Sequence, residues 1–193
     1  MTTGGSGSRR RGLSRIASLA LAAILAGNGS VAQSSASVPA VGWHVFRDSV
    51  LGFSFAYPAG WVTTVGCHGS RSCISISDGK QGADDYALAL EVFAGGLEQT
   101  AIDKTVFRPG LGGWVAKGRS SDHPVERVEG DGWRGLQAVV DCGISNRGIM
   151  HDGECLWTVL SDGRMSVVAD TQGSSLITAD IRRVIRSVHF VRE

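Results

Sequence analysis

Apolar and polar residues alternate with a period of two along several short stretches of this 193-residue chain. In Leu51 to Tyr57, Phe53, Phe55 and Tyr57 fall on one face and Ser54 and Ala56 on the other. In Cys73 to Ser77, Ile74 and Ile76 oppose Cys73, Ser75 and Ser77. A period of two is that of a strand with one face buried. Trp43 to Arg47 and Trp61 to Val65 also read as extended, and Pro58-Ala59-Gly60 turns the chain before the second. Tyr86 to Phe93 suits a strand, although its Ala and Leu content would also suit a helix. Gly112 to Gly118 and Val125 to Glu129 read as short strands. Asp131-Gly132 is a tight-turn signal leading into a strand over Trp133 to Cys142. Glu154 to Leu160 and Met165 to Ala169, joined by Asp162-Gly163, form the clearest hairpin.

Two stretches change to a helical period. Leu97, Ala101 and Thr105 share a side within Leu97 to Phe107, which Pro109 and Gly110 end. Ile177, Ile181, Val184, Ile185 and Val188 recur at helical spacing opposite Arg182, Arg183 and Arg186. That is an amphipathic helix packed on a sheet, and His189-Phe190-Val191 leaves it as a short extended end. There is no internal repeat. Many antiparallel strands with one middle and one closing helix make an α+β architecture.

The segment 1–32 follows a different logic. Arg9, Arg10, Arg11 and Arg15 precede an apolar run from Ile16 to Ala26, and Ser30-Val31-Ala32 supplies small residues before Gln33. This order is that of a cleaved signal peptide. The run is shorter than the about 20 residues needed to cross a ~30 Å bilayer. No stable membrane insertion is therefore expected after cleavage, and the mature protein is expected to be periplasmic or secreted. Ser8 to Leu13 partly resembles a twin-arginine motif, with Gly12 where a large apolar residue usually stands. The first cysteine is Cys67, far from the cleavage point, which argues against a lipid anchor. Residues 33–42 read as a flexible leader and 43–193 as a single domain.

Composition then excludes one class of partner. The signal holds four of the 19 basic residues and none of the 18 acidic ones, so the rest of the chain carries 15 against 18, a net charge of −3. That lacks the footprint of nucleic-acid binding. All four cysteines, Cys67, Cys73, Cys142 and Cys155, lie beyond the signal. An even count in an exported chain points to two disulfides. Three pairings are open; the local ones, Cys67–Cys73 and Cys142–Cys155, are favoured because each closes a short loop between neighbouring strands. Neither pair has metal-ligand spacing, and no C-x-x-C redox motif occurs.

Leu51-Gly52-Phe53-Ser54-Phe55-Ala56-Tyr57-Pro58-Ala59-Gly60-Trp61 resembles the opening of PsbP/Mog1-like domains, a strand followed by Tyr-Pro-x-Gly-Trp. Ile181 through Ser187-Val188-His189-Phe190 is similar to that family's last helix and its Ser-x-x-Phe exit. The resemblance implies an antiparallel β-sheet flanked by helices, a PsbP/Mog1-like sandwich closed by a C-terminal amphipathic helix. It also implies a non-catalytic binding or accessory role, since most members act by binding other proteins. The partner would be another exported or envelope protein. The four cysteines are no signature of the family.

Candidate chemistry is sparse. Trp43, Phe53, Phe55, Tyr57 and Trp61 could line a ligand groove for a small-molecule carrier or simply build the core, with Trp61 expected as a large buried side chain. Ser77-Asp78-Gly79-Lys80 spells S-x-x-K, but it follows a strand and lacks its partner motifs, so a surface turn is expected. His151-Asp152-Gly153-Glu154-Cys155 gathers metal-capable side chains in what reads as a solvated loop tethered by a disulfide. His123 beside Asp122 has the look of a base with its orienting carboxylate, although Pro124 suggests a turn. A secreted hydrolase would have to be assembled around His123 or His151. His44, His68 and His189 are isolated and read as structural. No complete catalytic constellation is legible, and no catalytic residue, metal ligand or cofactor is assigned.

Overall fold

In the computed structural model the described residues are 42–67, 69–79, 86–146, 149–171 and 176–191, with only the backbone course for 144–146 and 149–152. The signal segment, the leader up to residue 41, His68 and Lys80 lie outside them. Contacts divide the chain into two units, Met1–Ser37 and Val38–Glu193, and everything below concerns the second.

The alternating stretches form strands, and every strand pairing among the described residues is antiparallel. β1 (Trp43–Asp48) and β2 (Phe53–Pro58) make a hairpin whose inner edge is completed by β13 (His189–Phe190), in the order β1-β2-β13. The central sheet has seven strands: β3 (Val62–Cys67), β4 (Ser70–Ser77), β5 (Leu88–Ala94), β9 (Glu126–Gly130), β10 (Trp133–Asn146), β11 (Ile149–Ser161) and β12 (Met165–Asp170). Their order is β3-β4-β5-β12-β11-β10-β9. A third sheet joins β6 (Phe107–Gly110), β7 (Gly113–Lys117) and β8 (Asp122–Pro124). The two helices among the described residues are α1 (Leu97–Lys104) and α2 (Ala179–Arg186).

Period and face explain the layers. Leu156, Leu160, Val167 and Ala169 lie in one core with Phe53, Phe55, Ile181, Val184 and Ile185. Val159 and Val168, one step away along the same strands, lie in a second core with Leu97, Ala101, Phe107 and Leu136. The central sheet is therefore covered on both faces, by α2 with the β1-β2-β13 sheet on one and by α1 with the β6-β7-β8 sheet on the other. This is why Val167-Val168-Ala169 is a continuous apolar run rather than an alternating one. Each fully buried Val, Leu, Ile or Phe contributes ~1.5–3 kcal/mol.

The two motifs shared with the PsbP/Mog1 pattern have local physical roles. In Tyr-Pro-x-Gly-Trp, the Trp61 amide donates to the Pro58 carbonyl at 2.9 Å, closing the turn out of β2. In the exit motif, Ser187 Oγ accepts the Ala56 amide at 2.8 Å, and Phe190 is buried beside Phe53. The helix end is thus stitched to β2. Thr178 caps α2 by accepting the Ile181 amide. Arg183 and Arg186 lie in its last turn, where cations suit the helix dipole. Trp133 Nε1 donates to the Val188 carbonyl at 2.8 Å, tying the same helix end to β10.

Several expectations need correction. The middle helix ends at Lys104, not Phe107, because Thr105 turns extended and its hydroxyl accepts the Phe107 amide at 3.0 Å. Phe107, freed from the helix, starts β6 and buries completely. Residues 151–155 are no loop: β10 and β11 pair as far as Asn146 and Ile149, so His151 faces Ile144 across the ladder. Asp122–Pro124 is a short strand, with Pro124 at its end. Trp61 is only half-buried; the sealed tryptophan is Trp133, 6 % exposed. At the hairpin of β11 and β12, Asp162 Oδ1 accepts the amides of Arg164 and Met165, and Gly163 takes a left-handed φ of +96°.

Both local disulfides are present. Cys67–Cys73 links β3 to β4 and Cys142–Cys155 links β10 to β11, with Cα separations of 5.2 and 5.8 Å and no cysteine left free. No helix of the described residues is long and apolar enough to cross a membrane.

Candidate functional site

The densest polar cluster among the described residues lies where the β6-β7-β8 sheet meets β10. Gly118 to Ser121 turn the chain from β7 into β8, closed by the Gly118 amide on the Ser121 carbonyl at 2.8 Å. This turn presses on Asp141, which follows the apolar run Ala138 to Val140 in β10. The Arg119 amide donates to the Asp141 carbonyl at 2.9 Å, and the Ser120 amide to Asp141 Oδ2 at 2.6 Å. The Ser120 hydroxyl also donates to Oδ2, and His123 Nε2 contacts Oδ1. The Ser120 hydroxyl first, then His123, hold the Asp141 carboxyl far below the usual carboxylate range. The Gly118 position admits no side chain, since a Cβ there would strike Asp141 Oδ1 and the His123 ring.

The proton arrangement decides what this cluster can do. His123 Nε2 faces Asp141 Oδ1, the Asp141 amide at 3.3 Å and the Ser121 hydroxyl at 3.4 Å. An ionised carboxylate only accepts, so Nε2 carries the hydrogen when it engages Oδ1, and the Asp141 amide donates to that nitrogen only in the other tautomer. Nε2 then has no lone pair for a serine. The Ser120 hydroxyl spends its own proton on the same carboxylate. Nucleophilic catalysis needs a base aimed at a hydroxyl and a third group orienting that base; Asp141 orients the ring, but among the described residues no serine hydroxyl is held against its other nitrogen, Nδ1. The cluster is a clamp that fastens the third sheet to the central one. Beside it opens a cavity of about 470 Å³ lined by Arg119, Ser120, Asp141, Cys142 and Gly153.

The sequence pairing of His123 with Asp122 is corrected by this geometry. Asp122 pairs with Lys117 at 3.0 Å, and the carboxylate on His123 is Asp141, well along the chain and in another sheet. Asp141, Ser120 and Gly118 carried no signal that spacing could reveal. The one available hint was a carboxylate standing directly between an apolar strand and Cys142. The His151 and Asp152 side chains and Lys80 lie outside the described residues. Ser77 ends β4, and its hydroxyl accepts the Gly79 amide at 3.2 Å. Among the described residues no group of three His, Cys, Asp or Glu side chains is placed to hold a metal ion.

The five aromatic residues divide. Phe53 and Phe55 are sealed in the core, with Phe46 stacked on Phe55 at 5.0 Å between centroids. Trp43, Tyr57 and Trp61 are half-buried at its margin, so only these three have surface to offer. The Arg183 guanidinium lies over the Trp43 ring at 4.3 Å, and His44 meets Tyr57 at 5.8 Å.

No protein-family model and no curated protein matches this chain. Among solved structures, it is similar to a crystal structure from Bacteroides thetaiotaomicron VPI-5482, at 11 % identity and a TM-score of 0.50. That likeness covers 77 % of this chain and 48 % of the other, so the chain spans about half of its length. It is also similar to the solution structure of cyanobacterial PsbP (CyanoP) from Synechocystis sp. PCC 6803, at 13 % identity and a TM-score of 0.42. There 80 % of this chain and 95 % of the other are covered. A PsbP domain thus stands among the structural neighbours, and at these identities the likeness concerns the fold alone.

Proposed function

We propose that this chain is an exported, disulfide-bonded accessory protein that works by binding another exported or envelope protein through its surface. The observation that carries this reading is that all four cysteines are used in two cross-strand disulfides. Such bonds persist in oxidising compartments. The basic, apolar and small-residue order of segment 1–32 supports the same address. The cluster at Asp141 supports a non-catalytic role, because the Ser120 hydroxyl donates to the carboxylate and not to the His123 ring, so no serine there faces a base. The test is cross-linking of the full chain in its native host, followed by mass spectrometry of the exported fraction. The mature chain should begin at or near Gln33 and carry a reproducible cross-linked protein, with His123→Ala as efficient as the parent. An intact Met1 in the cytoplasm, or an exported chain with no cross-linked protein, would refute the reading.

A further inference from the structure

We propose that the face of β1 bearing Trp43, Val45 and Arg47, with the adjoining cationic side of α2 and His189 of β13, docks an acidic, extended segment of the partner protein. The proposal rests on the binding role above and names the surface and the chemistry of what it takes.

Strand register assembles this face. Arg47 lies opposite Ser54, and Ser54 lies opposite His189, so the three share one side of the sheet. Val45 lies opposite Ala56 on that side, and alternation places Trp43 there too. The Arg183 guanidinium, over the Trp43 ring, adds a cation at the far end. Arg186, three residues along α2, is a surface neighbour of Arg183. One face therefore carries cationic groups at both ends and an apolar centre at Val45, 48 % exposed. From Trp43 to Arg47 the face runs ~13 Å, four residues at ~3.3 Å each.

The charges on this face are unspent. Among the described residues no carboxylate pairs with Arg47, Arg183 or Arg186, whereas Lys117 has Asp122 at 3.0 Å and Arg134 has Glu98 at 3.6 Å. Asp48, next to Arg47, accepts the Val50 and Leu51 amides. Arg182 is turned to Gln137 at 3.1 Å. The Arg183 guanidinium lies over the Trp43 ring, and a guanidinium held there still has its N–H fork to offer to a carboxylate. β1 is also an edge of its sheet among the described residues, which suits a segment lying alongside as a strand. The complementary segment has carboxylates four residues apart, one for each cationic end, with an apolar residue between them for Val45.

The test uses the mature chain and a fluorescent peptide repeating glutamate-serine-valine-serine, which puts glutamates four residues apart on one face with a valine between them, read by anisotropy. A glutamine copy of the peptide and vesicles of equal parts phosphatidylglycerol and phosphatidylcholine run beside it. The glutamate peptide should bind, and Arg47→Glu with Arg186→Glu should weaken it at least about tenfold with an unchanged melt. Arg164→Glu, on the hairpin of β11 and β12, should leave it within about twofold. Added salt should weaken it, and the glutamine copy should not bind. Failure of the glutamate peptide to bind, equal binding by the double variant, equal weakening by Arg164→Glu, equal binding of the glutamine copy, or binding to vesicles without the peptide would each overturn the docking surface. The cross-linked partner separates the two readings. If the double variant still captures it at parental yield, this face is wrong and the accessory role stands. If the parent captures nothing, the accessory role falls.

Discussion

Trp133 fastens two layers, and truncating it tests how this domain is held together. Its ring is 6 % exposed and packs in the core between the central sheet and α2. Its Nε1 hydrogen satisfies the Val188 carbonyl, where α2 gives way to β13. Gly130, its cross-strand partner, has no Cβ because the indole occupies that space. Trp133→Ala loses the buried ring and should cost ~3–5 kcal/mol. Trp133→Phe keeps most of the apolar contact but orphans a buried carbonyl, which costs ~1–3 kcal/mol, beyond a smaller loss of packing. For a domain of this size ~1 kcal/mol shifts the melting temperature by about 2–4 °C, so the alanine variant should melt roughly 6–20 °C lower. Trp61→Ala should cost less than Trp133→Ala, since Trp61 is half-buried. The assay is guanidinium unfolding followed by far-UV circular dichroism, with thermal melts beside it. A Trp133→Phe variant within about 0.5 kcal/mol of the parent would refute the hydrogen-bonded anchor, and Trp61→Ala costing more than Trp133→Ala would refute the assignment of core and margin.

Peptide mapping without reductant should show Cys67 joined to Cys73 and Cys142 to Cys155. Loop-closure entropy predicts losses of about 2.4 and about 3 kcal/mol when each pair is replaced by alanine, measured by chemical denaturation; four free thiols would contradict both. Asp141 is held below its ordinary range in the folded chain, so its contribution to stability is present above the unfolded pKa of ~3.9 and is lost as pH falls from there toward the depressed folded value. Asp141→Asn should therefore be less stable than the parent at neutral pH, with the gap closing as denaturation is repeated from pH 5 down to pH 2. A gap that widens on acidification would contradict the clamp. Gly118→Ala should drive its new methyl group into Asp141 and His123, lowering the melting temperature and altering the His123 ring resonances by NMR; an unchanged His123 signal would place that ring elsewhere.

Features that depend on neighbours within a few residues were legible in the chain alone. Period-two alternation, the Asp162-Gly163 turn and the spacing of Ile181, Val184 and Ile185 are local, and each became the element it predicts. The local disulfides were also legible, because the paired cysteines are close in sequence and the strands between them turn back on themselves. Tertiary structure decided what depends on distant partners. Thr105 ended the helix early because Phe107 has a core to enter. Residues 151–155 became strand because a paired β10 satisfies their backbone, which their polar side chains do not reveal. His123 found Asp141 rather than its chain neighbour because β8 meets β10 in space. Adjacent strand residues point to opposite faces, so Asp122 was never placed to serve His123. Likewise, three arginines and an exposed valine become one surface only when β13 lies along β2 and α2 brings Arg183 over Trp43. Composition counts those charges, and the register of the strands puts them on one face.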